Sequence, residues 1–244
     1  MVSKLIRKIH LGIYVFWVVF FFILFYPLLA ILARNPKKNF SSIAKYRRQI
    51  ARLSTWCSGF RFKFNIPYDF TWNGVYIICA NHTSILDISA LAILCKQDIS
   101  FMGKIELLRN PITRFFFKTI DIPVDRRSKI SSYKAFKLAQ QRLAEGKSVV
   151  IFPEGKIEDT YPPVLQDFKN GPFKLAIENN IPILPVVING LWKLLWDEGS
   201  RGSRPGHCTI HVLEPIETTS LGIAASDQLK DYVHQLFANY LMGP

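Results

Sequence analysis

The sequence predicts an α/β fold with a largely parallel central sheet flanked by helices. From residue 60 to residue 240, short runs rich in Val, Ile and Phe alternate with longer segments of helical periodicity. This alternation indicates parallel pairing, because a parallel connection leaves room for a crossover helix. The predicted strands are 60–64, 75–80, 99–102, 122–124, 148–152, 183–188 and 208–212. The predicted helices are 85–94, 111–118, 131–145, 171–179 and 226–240.

An apolar segment without formally charged side chains covers residues 9–33, where Phe, Val, Ile and Leu dominate. It is long enough to span a bilayer, which needs about 20 apolar residues. It is longer than the apolar core of a signal peptide, which has roughly 7–15 residues. The segment therefore predicts a membrane-anchoring helix.

Residues 43–53 predict a basic amphipathic helix. Apolar side chains recur at helical spacing at positions 43, 46, 50 and 53, and Lys45, Arg48 and Arg52 lie between them. Such a helix lies either on a membrane surface or on the folded domain with its basic face in solvent. Residues 34–52 hold seven Lys and Arg side chains, whereas residues 1–8 hold three. This bias predicts that the domain beyond the anchor lies on the cytoplasmic side.

The formal net charge of +13 indicates a polyanionic partner or surface. Nucleic acid is not predicted, because the sequence has no nucleic-acid-binding motif or basic repeat. An anionic membrane and phosphate-bearing substrates fit the charge better. The four cysteines are scattered and lack the spacing of metal ligands, so no metal site is predicted.

His82 and Asp87 directly follow the apolar run 75–80. A histidine oriented by a carboxylate is a common general base at neutral pH. On one helix the two side chains would point about 140° apart, at about 100° per residue. We therefore expect His82 on a loop and Asp87 in the first turn of the next helix. The alternative is purely structural, with Ser84 as the N-cap and Asp87 completing a capping box.

A second motif, Phe152-Pro153-Glu154-Gly155, ends the predicted strand 148–152. With the His82/Asp87 pair it resembles the glycerolipid acyltransferase family, the 1-acylglycerol-3-phosphate O-acyltransferases. Further elements of the resemblance lie in order along the chain, from about residue 74 to residue 190. They are Lys104-Ile105-Glu106-Leu107, Ile122-Pro123-Val124-Asp125-Arg126, Phe168-Lys169-Asn170-Gly171 and Ile183-Leu184-Pro185-Val186-Val187.

The resemblance implies a two-helix membrane anchor at residues 1–58 and an acyltransferase catalytic domain at residues 59–244. The implied reaction moves an acyl chain from acyl-CoA or acyl-carrier-protein to the sn-2 hydroxyl of lysophosphatidic acid, giving phosphatidic acid. The acyl donor is a cosubstrate, and no other cofactor is implied. Two alternatives stay open: an acyltransferase acting on another lysolipid, such as a lyso-ornithine lipid, and a non-catalytic basic protein that binds membranes.

The resemblance also assigns roles to individual residues. His82 is the expected base, and Asp87 orients it. Lys104 and Arg126 are expected to bind the acceptor phosphate. Glu154 either organises these cations or the substrate glycerol, or pins its loop by hydrogen bonds. The N–H of Gly155 is a candidate oxyanion donor, and Lys104 is another.

One departure from the family pattern follows this motif. The family commonly continues with Thr and Arg, whereas this chain has Lys156 and Ile157. We expect the missing arginine to shift phosphate contacts elsewhere, with Lys156 as a candidate.

Overall fold

The computed structural model describes residues 2–157, 160–196 and 201–242. The α-helices, numbered in chain order α1 to α7, are Val2–Leu32, Phe40–Cys57, Leu86–Leu94, Pro111–Thr119, Lys129–Ala144, Gly171–Asn179 and Ser226–Met242. The strands, β1 to β9, are Phe60–Asn65, Ile77–Ala80, Ile99–Lys104, Ile122–Val124, Ser148–Ile151, Ile183–Asn189, Leu195–Trp196, Gly202–Ser203 and Gly206–Val212.

Seven strands form one sheet in the order β1-β9-β6-β2-β5-β3-β4. All neighbouring pairs are parallel except β6 with β9, which confirms the predicted α/β fold. The central strands β2 and β5 are buried on both faces, as their continuous apolar sequences require. Each predicted strand and helix beyond residue 59 is present, with ends within two residues of those predicted. The short hairpin of β7 and β8 was not predicted.

Helices cover both faces of the sheet, and side chains alternate between the two cores. Ile78 and Val150 point to the core shared with α3, whereas Ile77 and Val149 point to the core shared with α5, α6 and α7. A third cluster joins α1, α2 and α4 on the α3 side. The chain builds β3, β4 and β5 on one side of β2 and then crosses to the other side, where β6 pairs with β2. The carboxyl ends of β2 and β5 therefore flank a position where open α/β sheets commonly bind ligands.

Helix α1 is the one described helix long and apolar enough to cross a membrane. It does not extend away from the domain, because Tyr14, Phe22 and Leu29 are buried against other elements along its length. The opposite side of α1 carries exposed apolar residues from Leu5 to Ile31. The structure therefore contains an apolar N-terminal helix with one packed face and one uncovered face.

Helix α2 packs on the domain, which is the second of the two arrangements predicted for it. Its basic face is not solvated throughout, contrary to that expectation. Arg47 forms a buried ion pair with Asp121 at 2.6 Å. Arg48 donates hydrogen bonds to the carbonyls of Ala92, Cys95, Lys96 and Gln97 at the end of α3. Guanidinium groups offer five donors each, so they can satisfy the unpaired carbonyls that end a helix. The two-helix anchor is thus supported only for α1.

Candidate active site

Asn81 fixes the loop that leaves β2. Its side-chain amide donates to the carbonyl of Ile188 at 3.0 Å, and its carbonyl accepts from the Ile188 N–H at 2.7 Å. The amide therefore continues the pairing of β2 with β6 by one step after the backbone ladder ends. Because Asn81 is 1% exposed, both bonds are shielded from water, and the next residue, His82, starts from a fixed point.

Asp87 lies in the first turn of α3 and is fully buried. Its Oδ2 accepts from the backbone N–H groups of Thr83 and Ser84 at 2.7 and 2.9 Å. The same oxygen lies 3.0 Å from Nδ1 of His82. The carboxylate therefore closes the start of the helix and also orients the imidazole. The structural and catalytic interpretations of Asp87 are compatible, because one oxygen serves both.

The hydroxyl of Ser84 holds the same loop from its other side. It accepts from the Leu86 N–H at 3.2 Å and donates to the carbonyl of Leu195 in β7 at 2.9 Å. The N-cap position of α3 is Ile85 and not the predicted Ser84, but the Ser84 hydroxyl still accepts from the first turn and ties the loop to the unpredicted hairpin.

One of the two imidazole nitrogens of His82, Nδ1, is hydrogen-bonded to Asp87. A carboxylate only accepts, so Nδ1 carries the hydrogen and Nε2 keeps its lone pair. The described residues place no hydrogen-bonding group on Nε2, and the side chain is 16% exposed. The ring stacks on Phe152, with centroids 3.9 Å apart and planes 16° apart. His82 therefore has the tautomer and the fixed orientation that a general base needs.

Glu154 joins the two loops that follow β2 and β5. One carboxylate oxygen accepts from the backbone N–H of His82 at 2.7 Å, and the other accepts from the N–H of Gln166 at 2.9 Å. The residue is 5% exposed. Hydrogen bonds to both oxygens favour the predicted pinning role, since they hold the buried carboxylate between two backbone segments.

Gly155 allows a close approach of Arg126. Its φ of +86° lies in the left-handed region that favours glycine. A Cβ here would lie 3.0 Å from Nη1 of Arg126. The N–H of Gly155 already donates to the carbonyl of Phe152 at 3.0 Å, which corrects the expectation that it points at an oxyanion. A donor inside this turn reaches a reacting oxygen only if the turn opens.

A cavity of about 300 Å³ opens beside these two loops. Three cationic residues line it, Arg126, Lys156 and Lys169, together with the acidic residues Glu154 and Asp167. Burial lowers the pKa of the Arg126 guanidinium, and the carboxylate of Glu106 opposes this shift. Because Glu154 lines the cavity and also accepts from the His82 backbone N–H, the cavity lies next to the loop that carries the imidazole. A histidine base and a cation-lined cavity therefore meet on the carboxyl side of the sheet.

Comparison with known proteins decides the family. The sequence model of the Acyltransferase family matches residues 61–189, which is more than half of the chain. The chain belongs to the acyltransferase family. The resemblance inferred from its motifs is thereby confirmed, and the match spans both loops of the site.

Named relatives agree with this family. The chain is 26% identical over 208 residues to mouse 1-acyl-sn-glycerol-3-phosphate acyltransferase alpha, covering 84% of this chain and 70% of that enzyme. It is 28% identical over 185 residues to the human beta enzyme, covering 72% and 63%. The crystal structure of the Thermotoga maritima 1-acyl-sn-glycerophosphate (LPA) acyltransferase PlsC matches with a TM-score of 0.75. That match has 20% identity over 96% of this chain and 94% of the other, and it supports the fold.

The structure separates the six predicted site residues of this acyltransferase. His82, Asp87, Glu154, Gly155 and Arg126 gather on the carboxyl side of the sheet. Lys104 also ends a parallel strand, and β3 lies between β5 and β4, whose ends carry Glu154 and Arg126. The Lys104 side chain is exposed and is not among those that line the cavity.

Two residues of the site, Phe152 and Lys169, were not predicted to have a role in it. Phe152 was noted only as part of a motif, and its stacking on His82 depends on the register of β2 with β5. Lys169 stood in a quoted motif without a role. Its backbone N–H donates to the carbonyl of Pro153 at 2.8 Å, which brings its side chain to the cavity. Lys156, the suggested substitute for the missing arginine, also lines the cavity.

Proposed function

We propose that this acyltransferase transfers an acyl chain from a thioester donor, acyl-CoA or acyl-carrier-protein, to the sn-2 hydroxyl of lysophosphatidic acid, giving phosphatidic acid. One observation carries the proposal: Glu154 lines the cavity with its three cations and holds the backbone of His82, whose imidazole pairs with Asp87. The names of the mouse and human relatives support this choice of acceptor.

The imidazole acts on the acceptor hydroxyl. As that oxygen attacks the thioester carbonyl carbon, Nε2 of His82 takes its proton and the ring becomes imidazolium. Asp87 stabilises the imidazolium through the 3.0 Å contact with Nδ1, and the face of Phe152 adds a cation–π contribution. The tetrahedral intermediate then expels the thiolate, which takes the proton back from His82. No serine nucleophile is needed.

The cavity suits the phosphate of the acceptor. Arg126 offers two parallel N–H donors, and Lys156 and Lys169 add compact positive charges. A phosphomonoester carries a charge of roughly −1.5 to −2 at pH 7, so it complements several cations at once. Glu154 lies against this cavity while it holds the His82 backbone, so phosphate binding sets the distance from acceptor to base.

Helix α1 supplies the proposed membrane contact. Its uncovered side presents Phe16, Phe20, Ile23 and Leu24, and a lysolipid acceptor resides in a bilayer. Burial of such side chains in lipid contributes about 25 cal/mol per Å² of apolar surface. We place the catalytic domain on the cytoplasmic side because basic residues concentrate after the apolar segment.

A donor and acceptor panel tests the proposal. Purified full-length protein in mixed micelles receives acyl-CoA or acyl-carrier-protein with lysophosphatidic acid, other lysophospholipids or a lyso-ornithine lipid, and products are identified by mass spectrometry. We expect phosphatidic acid as the main product. If another lysolipid is preferred, that lipid replaces lysophosphatidic acid as the proposed acceptor. If no donor and acceptor pair gives an acylated product, the protein is a non-catalytic membrane-binding protein.

A further inference from the structure

The outer face of α5 is an exposed basic surface with an aromatic centre. Ile130, Tyr133, Lys134 and Lys137 follow the i, i+3, i+4, i+7 spacing of one helix face. Ile130 is 70% exposed and Tyr133 is 62% exposed, and both lysines are exposed. The opposite face packs Ala135, Ala139 and Leu143 into the core. We call these four outward residues the α5 surface.

The charge of α5 is one-sided. Its sixteen residues, KISSYKAFKLAQQRLA, contain four basic side chains and no acidic one. Lys129 occupies the first turn, where the helix dipole favours acidic residues. Nζ of Lys137 lies 5.6 Å from the centre of the Tyr133 ring, so a cation lies beside the exposed aromatic side chain. Packing does not call for this arrangement, because neither lysine of the α5 surface contributes to the core.

The α5 surface begins beside the proposed catalytic cavity. Helix α5 starts three residues after Arg126, and β4 brings Arg126 to the carboxyl side of the sheet. Between them lies Arg127, whose side chain is 82% exposed and lies 3.4 Å from Asp125 and 3.7 Å from Glu106. Basic groups therefore continue from the cavity onto the first three turns of the helix, with these two carboxylates beside Arg127. An anionic partner resting on α5 would reach toward His82 from this side.

We propose that the α5 surface docks an acidic carrier protein that delivers the acyl chain as a thioester on a flexible prosthetic arm. This inference rests on the proposed function and deepens it by naming the surface that receives a carrier-borne donor. Complementary charge steers the encounter, while Tyr133 and Ile130 supply the aromatic and aliphatic contacts typical of protein interfaces. The arm then carries the thioester to the cavity while the carrier body remains outside.

The position of α5 favours a protein over a lipid surface. The uncovered apolar side of α1 belongs to the layer on the α3 side of the sheet, whereas α5 packs on the opposite face. A flat bilayer that covers α1 therefore leaves the α5 surface in solvent. Free coenzyme A has anionic phosphates but no protein body to cover Tyr133 and Ile130. Only a protein-borne donor uses the charged and the apolar parts of the surface together.

Charge reversal with a matched control tests the docking. Lys134→Glu changes the α5 surface, and Lys63→Glu makes the same change on exposed Lys63 in β1, at the other end of the sheet. We expect Lys134→Glu to raise the KM for acyl-carrier-protein at least tenfold and to leave the rate with acyl-CoA within twofold. Tyr133→Ala should raise the same KM several-fold. Lys63→Glu should leave both donors unaffected.

The outcomes separate this inference from the proposed function. No transfer by the wild type from either donor would contradict the proposed function itself. Transfer from acyl-CoA alone, or an equal response of both donors to Lys134→Glu, would overturn the docking while keeping the reaction. Weaker binding of Lys134→Glu to vesicles of anionic phospholipid, with unchanged carrier kinetics, would assign the surface to the membrane. High salt should reduce the wild-type preference for the carrier, because exposed charges are screened within about 8 Å at physiological ionic strength.

Discussion

The two halves of the site differ in what they gather. In the base loop, residues 81–87, Asn81 makes two buried hydrogen bonds and one oxygen of Asp87 accepts from three donors. In the cavity, Arg126, Lys156 and Lys169 lie near one another, and partial burial lowers the pKa of the Arg126 guanidinium while the carboxylate of Glu106 opposes this shift. The base loop is therefore fixed by its own hydrogen bonds, whereas the cavity gathers cations whose charge an anion complements. Changes in the base loop should lower kcat, and changes in the cavity should raise the KM for the acceptor.

His82→Ala gives the largest expected effect. Removing the general base should lower kcat by about 10³-fold, within the range of roughly 10²–10⁴ typical of such groups. Folding should be retained, because Asp87 keeps its two backbone donors. Single-turnover rates and a thermal melt measure the two effects. Near-normal acyl transfer by this variant would exclude His82 as the base.

Asp87→Asn should give the second-largest loss of kcat. An amide can donate to Nδ1 and so impose the wrong tautomer, which should lower kcat by about 10²-fold or more. The loss of charge-assisted bonds at the start of α3 should also lower the free energy of unfolding by about 1–3 kcal/mol.

The double variant His82→Ala/Asp87→Asn provides the control for Asp87. If the carboxylate acts through the imidazole, the double variant should be no slower than His82→Ala alone. Multiplicative losses would indicate that Asp87 has an independent role in catalysis.

Arg126→Ala tests the other half of the comparison. Losing a charged contact to phosphate should raise the KM for lysophosphatidic acid about 10- to 100-fold, at about 1.4 kcal/mol per tenfold, with kcat changed only slightly. Arg127→Ala is the matched control, since its side chain is 82% exposed and lies outside the cavity. Both are assayed with acyl-CoA as donor. Equal KM values for lysophosphatidic acid in the two variants would show that Arg126 does not bind the acceptor phosphate.

Phe152→Leu should have the smallest effect. The leucine keeps the apolar contact but loses the aromatic face under His82, so the imidazolium loses about 0.5–1 kcal/mol. We expect kcat to fall about two- to fivefold with an unchanged acceptor KM. A change confined to KM would place Phe152 with the cavity instead.

The basic helices α2 and α5 show a property that the sequence did not predict, namely whether their basic side chains are buried or exposed. For α2 the sequence predicted a basic face on a membrane surface or in solvent, and for residues 131–145 it predicted only a helix. In α2 the arginines turn inward, where Arg47 meets Asp121 and Arg48 meets the end of α3. In α5 the lysines stay outside. Helical periodicity predicts which residues share a face. Whether that face is buried or exposed depends on the carbonyls and carboxylates that distant segments bring to it.

The site shows the same division. Five of its six predicted residues gather around the ends of parallel strands, because those carboxyl ends meet on one side of the sheet. Lys104 ends such a strand too, and strand order alone did not predict that its side chain stays outside the cavity. The occupied N–H of Gly155, the stacking of Phe152 and the arrival of Lys169 were not predictable. Each depends on turn geometry or strand register, which local sequence specifies weakly.

The sequence by itself determined the family, the strand and helix order, the apolar first helix and the His82–Asp87 pair. These follow from local patterns and spacing, which are properties of neighbouring residues. Only the tertiary structure decided that Glu154 joins the base loop to the cavity, that Asp87 serves as cap and orienting group at once, and that α1 and α5 lie on opposite faces of the sheet. Those results come from contacts between segments far apart in the chain, and a hydrogen bond or an exposed face exists only once both segments are in place.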